Sequence, residues 1–169
     1  MVLLCAGTSH AQTMLYETDD GRPIFQITYP SGWTLDLDFD KPREEFGGPP
    51  PPRVVEAMPS DGSLLWLGIW IPPEVRNFQE AKVYLDSLEQ HILTDVQAGE
   101  PRSEQLNGMP AYVIEGTAKK DNDDVNWLMA FFQPVKDVVA AAFYVAVPAA
   151  EQKHKKDLDA LVASLRPVK

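Results

Sequence analysis

Asp36, Asp38 and Asp40 alternate with Leu35, Leu37 and Phe39 in residues 33–40, WTLDLDFD. Carboxylates repeated this closely could hold a divalent cation. Calcium, however, needs its oxygens at about 2.3–2.6 Å, usually from a tightly curled loop. Strict alternation is the mark of a half-buried strand, on which same-side neighbours stand about 7 Å apart. A straight strand therefore spreads these three carboxylates too far to share one ion. The expectation is a solvated face near a sheet edge, where charge discourages pairing with other chains. A weak cation site on Asp36, Asp38 or Asp40, with Asp40 joined by Glu44 or Glu45, is the alternative.

The other groups that could do chemistry are few. Asp121, Asp123 and Asp124 begin with calcium-loop spacing, but Asn126 stands where that loop needs Gly and Phe132 where it needs Glu. That reads as a turn. His10, His91 and His154 are the three histidines, and no pair has zinc-ligand spacing. His91 falls near the border of a helix's apolar face. His154 sits among Lys153, Lys155 and Lys156, which suits a solvated helix face. There is no nucleophile elbow, phosphate loop or dinucleotide fingerprint. The one cysteine is Cys5. The residues imply no catalytic set, no cofactor and no enzyme.

A binding surface is easier to find. In WLGIW, Trp66, Gly68 and Trp70 share one strand face, and two indoles beside a residue without a side chain would leave a shallow notch. Trp127 and Phe131 could extend that face. The alternative is that a helix packs there and Gly68 gives it room. Pro49 and Pro50, in the GGPPPP loop of residues 47–52, form a second candidate, because a preformed extended segment loses little entropy on docking.

These residues need elements to hold them. Residues 24–29 and 33–40 read as strands around a turn at Ser31 and Gly32. Residues 41–53 are too rich in proline for regular structure. Residues 53–58 and 64–71 read as strands, the second apolar on both faces and hence central. Residues 77–96 read as a helix capped by Asn77 and Glu80, with Phe78, Ala81, Leu85, Leu88, Ile92 and Val96 on one face and Gly99 as its stop. Strands at 101–106, 111–118, 125–132 and 138–147 follow, with a turn at Asn107 and Gly108 and a polar tip at 119–124. Residues 149–165 read as a closing helix. Strands joined by hairpins, with helices before and after, predict an α+β fold: a three-layer α/β/α sandwich with a central, mainly antiparallel sheet.

The chain has 169 residues and is 44% hydrophobic, enough for one ordinary domain, expected at 22–167. Its net charge of −10 disfavours nucleic acid and anionic lipid as partners. No apolar run reaches membrane-spanning length. Residues 1–11, MVLLCAGTSHA, resemble the back half of a secretory signal peptide, with Ser9 and Ala11 as the small residues before a cleavage at Gln12. Residues 12–21 then form an N-terminal extension. This implies a periplasmic or secreted monomer; lipid anchoring through Cys5, and a cytoplasmic protein that starts at Met1, are the alternatives.

The YPSGW of residues 29–33, the central strand ending in prolines, the mid-chain helix, the Asn107 and Gly108 turn feeding residues 111–115, and the closing LDALVASLR together resemble the PsbP-like (Mog/PsbP/DcrB-like) fold group. The resemblance spans about residues 22–167 and rests on layout and short motifs. That group includes a photosystem subunit, a small Ran-binding import factor, and exported bacterial proteins and lipoproteins. It implies binding or assembly with a protein partner. It supplies no shared active site from which residue roles could be carried over. The other readings are a carrier of a small apolar molecule or lipid on the Trp66 face, and a cytoplasmic chaperone-like protein.

Overall fold

The computed structural model describes residues 10–18, 21–37, 54–73, 75–88 and 93–168. The order is β1 (Gln12–Glu17), β2 (Pro23–Tyr29), β3 (Trp33–Leu37), β4 (Val55–Pro59), β5 (Leu65–Trp70), α1 (Phe78–Leu88), β6 (Thr94–Ala98), β7 (Arg102–Leu106), β8 (Met109–Lys120), β9 (Asp123–Val135), β10 (Val138–Ala146), α2 (Pro148–Lys153), α3 (Lys155–Ser164) and β11 (Arg166–Pro167). The main sheet runs β3-β4-β5-β10-β9-β8-β6, and β7 also pairs with β8. Every pairing in it is antiparallel. A small sheet, β1-β2-β11, stands apart.

Alternation along the strands sends side chains to two cores. On one face Leu65, Leu67, Ile69, Ala111, Val113 and Phe132 pack with Phe25 and Ile27 of the small sheet and Leu161 of α3. On the other, Trp70, Trp127, Met129, Phe131 and Val145 pack with Ala81 and Leu85 of α1. The result is the α+β sandwich that the sequence predicts. Phe25 ties the layers together, stacking on Tyr16 at 4.3 Å and meeting Phe132 edge-on at 5.1 Å. The buried Tyr16 and Tyr29 hydroxyls share a 2.6 Å hydrogen bond, and burial pushes both phenols above their usual range.

The start of α1 is as read. Asn77 Oδ1 accepts from the backbone N–H groups of Gln79 and Glu80, and Glu80 Oε2 accepts from that of Arg76. Its end differs. The helix is described as far as Leu88, and residues 94–98 form β6, although the helix is expected to run to Val96. Three-four spacing suggests a helix, but the β-branched Thr94 and Val96 serve an edge strand, in which Thr94, Gln97 and Ala98 pair with β8. Gly99 is therefore no helix stop; its N–H donates to Glu115 O at 2.8 Å. Ile92 lies outside the described residues.

β6 and β7 lie along the same edge of β8, β6 on residues 116–119 and β7 on residues 109–113. They amount to one edge strand broken at residues 99–101. Residues 12–17, read as part of an extension, form β1 and pair with β2. The closing helix is two helices that meet at His154. Asn107 (φ 51°) and Gly108 (φ 83°) make the left-handed hairpin turn. Asn107 Nδ2 also donates to Val162 O at 2.6 Å and Leu165 O at 2.9 Å, capping α3 from the sheet.

Candidate functional site

β5 divides its side chains as alternation requires: Leu65, Leu67 and Ile69 to the first core, Trp66, Gly68 and Trp70 to the other face. The open notch does not exist. A Cβ on Gly68 would come within 2.5 Å of Trp66 Cη2, so the six-membered ring of Trp66 already lies over Gly68. Gly68 does give room, but to its own neighbour. Trp70 is buried beneath α1, where its Nε1 donates to Tyr84 Oη at 3.1 Å. Phe131 is fully buried and meets the Tyr84 ring at 6.4 Å. Trp127 is buried with its Nε1–H on Thr117 O.

Trp66 remains half-buried at the border of the covered region. Its ring meets Phe143 edge-on at 6.0 Å, and Phe143 in turn lies 6.5 Å from Trp127. Trp66 Nε1 donates to Glu56 Oε2 at 3.0 Å. Glu56 stands opposite Gly68 in register, and Asp36 stands opposite Glu56. One row across three strands thus carries Asp36, Glu56 and the Trp66 ring laid over Gly68. Among the described residues β3 is the last strand on that side, so Asp36 occupies a sheet edge. Asp38, Asp40, Glu44, Glu45, Pro49, Pro50, His91 and Cys5 lie outside the described residues. Asp121 (φ 51°) and Asn122 (φ 75°) form the β8–β9 turn, and Asp121 and Asp124 pair with Lys120 and Lys119. Among the described residues no three acidic, His or Cys side chains converge on a point that could hold a metal ion.

Sequence reasoning missed a second constellation. His154, expected on a solvated face, is buried at 9% exposure. The helix breaks there (φ −98°, ψ 12°), and the ring, with Lys153 beside it, faces the β4–β5 turn. His154 Nε2 lies 3.1 Å from Ser63 Oγ and 3.2 Å from Asp61 Oδ2, while Nδ1 lies 3.2 Å from Asp157 Oδ2. Trp33 Nε1 donates to that same Asp157 oxygen at 3.4 Å. Ser63, His154 and Asp157 have the order of nucleophile, base and orienting carboxylate. Asp61 spoils it for catalysis. Its Oδ2 shares Nε2 with Ser63, and its Oδ1 takes the Ser63 N–H at 2.9 Å. A carboxylate accepts only, so it asks Nε2 to donate rather than to act as a base. The Lys153 ammonium, 2.7 Å away, and the Ser63 donors hold the Asp61 carboxyl well below the usual range. The group works as a clasp joining the β4–β5 turn, β3 and the α2–α3 junction.

A third feature is a cleft of about 680 Å³ beside β6, lined in part by Asp95, Gln97, Thr117, Lys119, Asp124 and Asn126. In its wall β6 slips register between Thr94 and Gln97, with Asp95 at φ 51°. The Lys119–Asp124 ion pair spans 3.2 Å in its wall.

No family model and no curated protein matches the chain. Solved structures do. The chain is similar to the cyanobacterial PsbP protein CyanoP from Synechocystis, with a TM-score of 0.58 and 14% identity over 99% of this chain and 98% of that one. It is also similar to LpqN, described as involved in cell envelope biogenesis of Mycobacterium tuberculosis, with a TM-score of 0.51 and 13% identity over 95% and 92% of the two chains. A protein of unknown function from Pseudomonas aeruginosa, PA94, aligns at a TM-score of 0.45 and 11% identity, over 87% and 91%. The chain has a PsbP-like fold.

Proposed function

We propose that this chain is an exported, non-enzymatic binding or assembly protein that docks on another protein outside the cytoplasm. The observation that carries the reading is the half-buried Trp66, held by a carboxylate at the border of the covered part of the sheet face. Aromatic anchors of this kind are enriched where protein surfaces meet. The likeness to CyanoP and to LpqN, described as involved in cell envelope biogenesis, supports an extracytoplasmic place and an accessory role. Among the described residues no helix is long and apolar enough to cross a membrane. The reading takes 1–11 as a leader remnant, followed by one domain that begins with β1 and runs to residue 167.

Native mass spectrometry of protein taken gently from its host tests this. A second polypeptide, with an N-terminus at Gln12, is the expected result. A bare chain that starts at Met1 and fractionates with the cytoplasm would remove the reading. The carrier reading keeps one specific support, the cleft beside β6, whose size falls in the range of small-ligand sites, about 300–1,000 Å³. A small released mass in the same experiment would favour it.

A further inference from the structure

We propose that Asp36, Glu56 and Trp66 form a platform for an arginine side chain of the protein partner. This deepens the reading above and rests on it. The register places the three groups in one row on one face: Asp36 opposite Glu56, and Glu56 opposite Gly68, over which the Trp66 ring lies. Adjacent strands are about 4.8 Å apart, so the row spans about 10 Å, the reach of one guanidinium and its stem.

The row is electrostatically incomplete. Like charges directly opposite one another on neighbouring strands are destabilising. Neither Asp36 nor Glu56 is paired with a cation among the described residues; the polar partner of Glu56 is the Trp66 indole N–H. That bond fixes the ring beside the carboxylate. A cation over an indole face is attracted by the ring's electron density. A guanidinium suits the place better than an ammonium, because it is flat enough to stack and can donate two parallel bonds to a carboxylate. Three further observations favour a basic partner. The chain carries a net charge of −10, which would steer a basic surface toward it. Among the described residues β3 is an edge strand, so the row can be approached from the side. Asp36 is exposed, and Glu56 and Trp66 are half-buried, so all three can be reached.

The experiment is a titration of the 15N-labelled full chain with a short unstructured peptide carrying two arginines. The same peptide with citrulline, which keeps the shape and loses the charge, is the control. The expected result is a saturable shift of the Trp66 indole N–H resonance, with affinity at least about tenfold weaker for citrulline and for the D36N/E56Q variant. Trp66 is assigned by its loss in W66F. The D36N/E56Q chain must melt no lower than wild type, so a lost shift cannot be blamed on unfolding. An unmoved Trp66 resonance, or equal binding of the two peptides, overturns the proposal. A native partner retained equally by wild type and D36N/E56Q would also overturn it while leaving the protein-binding reading in place. Absence of any native partner would instead remove that broader reading.

Discussion

The six-membered ring of Trp66 rests on Gly68, close enough that a methyl group there would stand 2.5 Å from Cη2. Tryptophan and glycine two residues apart on one strand thus act as a single unit. The glycine lets the indole lie flat, and Glu56 holds it by its N–H. Gly68→Ala should lift the ring, break the bond to Glu56 and cost about 1–3 kcal/mol of overpacking strain. Urea unfolding and the tryptophan emission spectrum check it. Unchanged emission with unchanged stability would mean that the ring does not rest there.

Removing one carboxylate from the Asp36 and Glu56 pair should help the isolated protein. Asp36→Asn is expected to stabilise by about 0.2–1 kcal/mol, because it relieves a like-charge pair facing across two strands. The gain should shrink with added salt. A loss of stability at low salt would show that the pair is not repulsive.

Asn107 serves twice, as a left-handed turn residue and as a donor to two carbonyls at the end of α3. Asn107→Gly keeps the turn and loses the donors, at a cost of about 1–2 kcal/mol. Asn107→Ala loses both and should cost more, since alanine is strained at positive φ. The order wild type, glycine, alanine in denaturant midpoint is the test. Equal midpoints for the two variants would exclude the turn contribution.

Asp61 gives a signed pH prediction. Its folded-state pKa lies below the ordinary carboxylate value, first through the Lys153 hydrogen bond and then through the Ser63 donors. Such a group contributes stability that is complete above the unfolded carboxylate pKa, about 3.9, and is lost as pH falls below it. Asp61→Asn should therefore lower stability near neutrality and flatten the dependence below pH about 4. The carboxylate is exposed, so the effect should be small and weakened by salt. An acid limb as steep as wild type would count against the clasp.

The same clasp predicts no hydrolysis by Ser63. Wild type and Ser63→Ala should turn over an activated ester at the same background rate, because Asp61 occupies the nitrogen that a base would need. A rate that drops with Ser63→Ala and with His154→Gln would reverse that conclusion.

Much of the fold was legible because period-two alternation and turn residues are local signals. The β8–β9–β10 meander, the strand of residues 65–70 and the Asn77 cap all depend on neighbours within a few positions. β6 was not legible, since residues 92 and 96 continue a helical stripe and only pairing with β8 makes a strand of this segment. His154 was hidden by the lysines around it. Its inward turn depends on a helix break and on Asp61, more than ninety residues earlier in the chain. The Trp66 face was visible in sequence as a set of residues, but side-chain conformation decided that the space over Gly68 is filled. Asp36 was read as solvated edge charge, and it does lie on an edge; its position opposite Glu56 needed the strand register.

The interrupted border of the sheet also bears on how this molecule keeps its own company. Beyond β8 the sheet ends in two five-residue pieces rather than one long rail. Gly116 lets the Gln97 carbonyl press against β8 at the first piece, and Pro101 at the break has no N–H to offer a neighbour. A second copy aligning there would lose its bonding pattern after a few residues. The break thereby limits runaway stacking of chains into fibrils at this border of the sheet.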